Sequence, residues 1–261
     1  MRPALAPRRA HVAAVIAGVV ALAAPGSVRA AFVADSSAQL VQDTSTSGIG
    51  KFSGTIAVDN INSGTAMVRV SLTNTSPKAN GGYITGFAFN LPVPLASATL
   101  TTAAPSSFNL AGGGTFDNAI GNYDDVPGQP FGFFDVGAGL GADGSLNSGS
   151  PTSGLAVGQT GTFTFTLTSN PGQFDLNQLS AELLLSLASA NPQGGGAQAF
   201  LVRFRGFKNG GSDKVVINPD GFTPPPPPPG VPAPPAVLLA LAGVGCLLGR
   251  GAFRRKPVPT A

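Results

Sequence analysis

The 261-residue chain is poor in the residues from which most active sites are built. It has one histidine (His11), one cysteine (Cys246) and no tryptophan. That count excludes a thiol–histidine dyad, a Cys/His zinc site and a disulfide framework. Charge is scarce as well: Asp, Glu, Lys and Arg make up 10% of the residues, against roughly a quarter in an ordinary soluble domain. In their place stand 36 glycines and 24 prolines, the composition of a chain rich in turns. Fifteen basic residues exceed twelve acidic ones for a net charge of +3, and where those charges lie matters more than their sum.

At the N-terminus Arg2, Arg8 and Arg9 precede an apolar stretch of 13 residues (12–24) that Pro25 and Gly26 close. Val28 and Ala30 then place small residues at the minus-three and minus-one positions of a cleavage site. This is the pattern of a secretory signal peptide over residues 1–30, with cleavage expected between Ala30 and Ala31. The apolar stretch is short of the roughly 20 residues that a spanning helix needs. Removing it would also remove His11, so the exported chain would hold no histidine and a Ser-His-Asp triad is excluded.

The C-terminal end is the most informative stretch. Residues 224–229 are six consecutive prolines, expected to form an extended polyproline II spacer. They belong to a Pro-rich linker, 223–235, that ends in Val231, Pro232, Ala233 and Pro234. Residues 236–248 are apolar and predict a hydrophobic helix, followed by a basic tail of Arg250, Arg254, Arg255 and Lys256, so that helix and tail together occupy 236–256. Basic residues behind such a segment remain cytoplasmic and leave the preceding domain outside.

This order of short motif, apolar helix and basic tail resembles the PEP-CTERM sorting signal, with Ala233 standing where that family typically has glutamate in Val-Pro-Glu-Pro. The resemblance implies an exported protein processed by an exosortase, a membrane protease of bacteria that make exopolysaccharide. It further implies membrane contact through the C-terminal helix, a destination at the cell surface or in the extracellular matrix, and exopolysaccharide as a candidate partner. A plain C-terminal membrane anchor is the competing reading. With eight basic residues assigned to the two signals, residues 31–222 keep seven basic and twelve acidic ones, a net charge of −5. The positive balance of the whole chain thus belongs to its membrane-directed ends.

Residues 31–222 amount to one domain. Stretches at 52–58, 66–73, 83–90, 98–102, 131–136, 162–168 and 200–207 alternate apolar and polar residues with period two, as half-buried strands do. Phe163, Phe165 and Leu167 share one face and threonines the other; Phe200, Val202 and Phe204 oppose Arg203 and Arg205 in the same way. Short strands without interleaved helices predict an all-β fold, a β-sandwich of jelly-roll or immunoglobulin-like type. One helix is expected over 176–190, where Leu176, Leu179, Leu183, Leu184 and Leu187 fall at helical spacing behind Asp175 as cap; a further strand over 179–187 is the alternative. The domain also resembles the β-rich ectodomains that precede PEP-CTERM tails, a likeness that carries no catalytic residues.

The chemical candidates are few. Asp117, Asp124, Asp125, Asp135 and Asp143 crowd into one window, and oxygen ligands of this kind suit Ca²⁺; Asp117, Asp124 and Asp125 are the candidate ligands, with turn formation as the competing role. Gly137, Gly139 and Gly141 imitate a dinucleotide-binding loop, but turn formers follow where a helix should start, so a flexible loop is expected. Lys51, Lys78, Lys208 and Lys214 lie near turns and read as solvated. Without histidine, and with Asp124 and Asp125 adjacent rather than facing, no enzyme is expected. Glycan stacking would fall to Tyr83, Tyr123 or a platform of Phe131, Phe133 and Phe134, for which core packing is the commoner fate. Arg203, Arg205, Lys208 and Lys214 form a basic cluster without the aromatic set that nucleic-acid binding needs. Asn74, Thr75 and Ser76 make a glycosylation sequon that would need a host with the matching machinery. The sequence therefore predicts a non-enzymatic exported surface or matrix protein, with a carbohydrate-binding module on a plain anchor as the alternative.

Overall fold

The computed structural model describes residues 34–116 and 125–219. The expected cleavage site at Ala30 and Ala31, the motif from Val231 to Pro234, the hydrophobic helix and the tail of Arg250, Arg254, Arg255 and Lys256 lie outside them, as do Asp117, Asp124 and Tyr123. Among the described residues no helix is long and apolar enough to cross a membrane.

Period-two alternation has the consequence expected of it. The strands are β1 (Ser36–Leu40), β2 (Phe52–Asn62), β3 (Thr65–Asn74), β4 (Gly81–Phe89), β5 (Ser97–Ala104), β6 (Asn109–Gly112) and β7 (Gly114–Thr115). They continue with β8 (Val126–Pro127), β9 (Phe133–Phe134), β10 (Val136–Gly139), β11 (Leu155–Ala156), β12 (Thr160–Thr168), β13 (Phe200–Phe207) and β14 (Ser212–Ile217). Two antiparallel six-stranded sheets pack into a sandwich. The first has the order β1-β2-β3-β12-β5-β7; the second runs β14-β13-β4-β10-β6, with β11 also paired to β4.

Along β3 and β12 every second residue is buried, so Val68, Val70, Leu72, Phe163, Phe165 and Leu167 face the second sheet. Phe163 meets Phe87 of β4 at a ring-centroid distance of 4.8 Å, and Phe165 meets Phe89 edge-on at 5.3 Å. Such tilted and T-shaped pairs place the electropositive ring edge against a neighbouring face, worth about 0.5–1.5 kcal/mol each beyond area burial. The wet face of β12 is a threonine row whose hydroxyls pair across strands, Thr160 with Thr73 at 2.7 Å and Thr168 with Ser97 at 2.6 Å.

The second sheet differs from the expectation of one wet side. Leu201 and Val216, on its outer face, join Ala88, Ala111, Val126, Phe131, Phe134 and Leu146 in a second apolar cluster. The β8–β9 hairpin supplies the cover. The expected strand 131–136 is accordingly two strands: β9 belongs to the hairpin and β10 to the sheet. Residues 137–139, expected in a flexible loop, are instead buried strand between β4 and β6. A Cβ on Gly137 would stand 2.0 Å from the Phe87 carbonyl oxygen, so glycine here permits close backbone approach rather than motion.

The expected helix over 176–190 is interrupted. Asp175 caps only a 3-10 turn (Leu176–Gln178) by accepting from the Asn177 N–H, and the α-helix α1 (Ala181–Ser186) starts afresh at Ser180, whose hydroxyl accepts from the Leu183 N–H at 3.1 Å. A capping serine in extended conformation divides what spacing alone reads as one element. Leu184 and Leu185 of α1 are buried, whereas Leu183 and Leu187 are only half-buried.

Both open sides of the sandwich are stitched by a segment that changes sheets. On one side the chain leaves β1, and Asp43, Thr44 and Thr46 then hydrogen-bond to Val216 and Lys214 along the outer edge of β14. On the other, β6 of the second sheet passes into β7 of the first through Gly112, Gly113 and Gly114, at φ of 60°, 67° and 78°. Three successive left-handed residues are accessible to glycine at little steric cost.

Candidate functional site

The aspartate window divides into groups with different roles. Asp125 and Asp143 are exposed and line one cavity of about 150 Å³ with Ala111, Gly112, Gly144 and Ser145. Asp143 also makes a turn, Oδ1 accepting from the Ser145 N–H at 3.0 Å. Asp135 faces elsewhere: it is buried and accepts from the Leu91 N–H at 2.6 Å, which fixes the chain as it leaves β4. The fold thus brings two of the five aspartates together, while Asp117 and Asp124 lie outside the described residues. Among the described residues no group of three or more His, Cys, Asp or Glu is placed to hold a metal ion.

The aromatic candidates pack inward. Phe131 and Phe134 are buried in the outer cluster and Phe133 is half-buried, so they close the hairpin onto the sheet instead of presenting a sugar platform. The sequon is also committed to the fold. Asn74 is fully buried, its amide donating to the carbonyls of Gly82 (3.1 Å) and Leu155 (2.9 Å) while its oxygen accepts from the Ser76 N–H at 3.1 Å. An Asn whose amide nitrogen ties three strand ends together is not presented for modification in the folded chain.

The basic residues are the polar group that the fold concentrates. Arg203 and Lys214 are opposed in the β13–β14 ladder, and Arg205 follows Arg203 on the same outer face. Lys214 is half-buried, a correction to its reading as solvated; Lys51, Lys78 and Lys208 are exposed as expected. Lys214 Nζ donates to the Gln129 carbonyl in the hairpin turn, and Arg205 Nη1 donates to the carbonyls of Ser148 (2.6 Å) and Gly149 (3.1 Å). Arg203 Nη1 reaches the Asp213 carbonyl at 3.4 Å. Burial, followed by the positive charge of Arg205, lowers the pKa of Arg203, with Asp213 opposing; burial, followed by Arg203, lowers that of Lys214.

The sequence names each of these cations but not their juxtaposition. Strand β14 carries Asp213 on its core face, which breaks the apolar alternation and hides the strand. The Asn209, Gly210, Gly211 turn signal is the feature from which the hairpin, and hence the facing of Arg203 and Lys214, is derivable. Comparison with family models, with curated proteins and with solved structures finds no match for this chain.

Proposed function

We propose that the protein is an exported, non-enzymatic component of the cell surface or extracellular matrix, sorted or anchored through a PEP-CTERM-like C-terminal signal. The observation that carries this reading is the order of Val231, Pro232, Ala233 and Pro234, the apolar stretch 236–248, and Arg250, Arg254, Arg255 and Lys256. It fits a signal peptide at 1–30, a sandwich of jelly-roll or immunoglobulin-like type, and an exosortase-like enzyme as processing partner. The described domain supports the non-enzymatic part through its commitments: Asp135, Asn74 and Asp213, three of its buried polar side chains, each serve backbone groups. Intact-mass measurement of the protein from its native host is the test. Loss of the chain beyond about Pro234 is the expected result; a full-length tail retained in the membrane fraction would replace sorting by plain anchoring.

A second reading, a carbohydrate-binding module on such an anchor, is favoured by one observation. The outer face of the second sheet bears three cations with open donors. Since Phe131 and Phe134 are buried, charge rather than ring stacking would supply the contact.

A further inference from the structure

The outer face of the second sheet holds a charge arrangement that folding alone disfavours. Arg203 and Lys214 occupy directly opposed register positions, where side chains of an antiparallel pair stand about 4.5–5.5 Å apart and like charges destabilise. Arg205 follows on the same face at a strand step of about 6.6–6.8 Å. All three are half-buried, so each also loses part of its hydration. The carboxylate that offsets this, Asp213, sits on the core face of β14 opposite Phe204 and is engaged by Thr46, Ser47, Ile49 and Gly50.

The cations are held in place without being satisfied. Lys214 is pinned by the hairpin carbonyl of Gln129 and Arg205 by the loop carbonyls of Ser148 and Gly149. Arg203 makes one long hydrogen bond, to Asp213, and its Nε is shielded from solvent with no partner. Arg203 and Lys214 each have most of their donors open. Positioned, partly desolvated donors of one sign are what an anion binds, because the ordering and desolvation costs fall on the fold rather than on binding.

We propose that Arg203 and Lys214, in the added field of Arg205, form a binding site for an oxyanion group, a carboxylate, sulfate or phosphate. The anion neutralises the opposed charges and accepts from their open donors. Two sources share this chemistry, a small free anion and the charged groups of an acidic polysaccharide. The site does not depend on how the C-terminal tail is processed.

The test uses the purified full chain at pH 7 and low ionic strength, where exposed charge is least screened. Thermal unfolding is followed with inorganic phosphate or with polygalacturonate, each against sodium chloride at matched ionic strength. An anion bound to the folded state raises the midpoint by mass action. Phosphate is expected to raise it above chloride; a polygalacturonate response at lower carboxylate concentration assigns the source to the polymer, and a phosphate response alone assigns it to free anions. Arg203→Gln is expected to unfold no lower than wild type without anion, since it removes a repulsion, and to weaken the anion response at least about tenfold in concentration. Lys214→Gln should weaken it likewise, whereas Lys208→Gln, on the exposed turn, keeps the full response. Equal midpoints in phosphate, polymer and chloride overturn the proposal. So does an unchanged anion response in both Arg203→Gln and Lys214→Gln with lowered midpoints, which would make the cluster structural.

Discussion

Asp213 is a charged residue with no solvent exposure, and four donors converge on its carboxylate: the Thr46 hydroxyl and the N–H groups of Ser47, Ile49 and Gly50, all within 2.8–2.9 Å. Removing it strands those donors. Asp213→Ala should cost about 3–5 kcal/mol in urea unfolding, and Asp213→Asn, which keeps the volume but exchanges an acceptor for a donor, about 1–3 kcal/mol. A loss below about 0.5 kcal/mol, the level of an ordinary surface change, would deny the carboxylate this role. The half-buried cations act in the opposite direction. Lys214 has its pKa lowered by burial and by Arg203, so between that lowered value and 10.5 the unfolded chain binds more protons than the folded one. Stability therefore rises with pH across that alkaline window and is reduced by a constant amount below it. Urea midpoints measured upward from pH 8 should show a rise in wild type that is absent in Lys214→Met. At this scale the sequence shows which residues are charged but not which way they face; Asp213 and Lys214 are neighbours in the chain and lie on opposite sides of one strand.

Elements were legible where one face is wet. The alternation marks β12 because threonine occupies every second position, β3 because Thr65, Arg69, Ser71 and Thr73 share its wet face, and β13 because Arg203 and Arg205 interrupt its apolar residues. It fails for β10, covered on both faces and half glycine, which carries no hydropathy signal for a face. It fails for α1 as well, because the leucine spacing continues through Ser180, whose capping geometry restarts the helix. These differences are testable. Gly137→Ala would force a methyl against the Phe87 carbonyl and should cost at least about 3 kcal/mol, whereas Gly158→Ala, at φ 85° with open space around it, should cost about 1 kcal/mol. Comparable losses in thermal unfolding would mean that β10 is not the tightly apposed strand described. Ser180→Ala should cost about 1 kcal/mol, the usual value of a lost N-cap, in the same measurement.

At the scale of the whole domain, a sandwich was readable from the number and spacing of short strands, but the order of strands within its sheets was not. Nothing local tells that β12 inserts between β3 and β5, or that Gly112, Gly113 and Gly114 carry the chain from one sheet to the other. The segment over 36–50 is the other seam, contributing β1 to the first sheet, covering the β14 edge of the second and feeding donors to Asp213. Deleting residues 34–50 should expose paired edges of both sheets, and open edges template further strand addition. Size-exclusion chromatography is expected to show such a chain as aggregates; a monodisperse monomer with unchanged unfolding midpoint would contradict the seam.

Thr46 and Asp213 are separated by 167 positions, so the hydrogen bonds that seat residues 43–50 wait until β14 has been made. A chain that stops short of Asp213 still pairs β1 with β2, but leaves the N–H groups of Ser47, Ile49 and Gly50 without their acceptor. The seam thereby ties an early segment to a late one: residues 43–50 cover the β14 edge only once β14 itself is present.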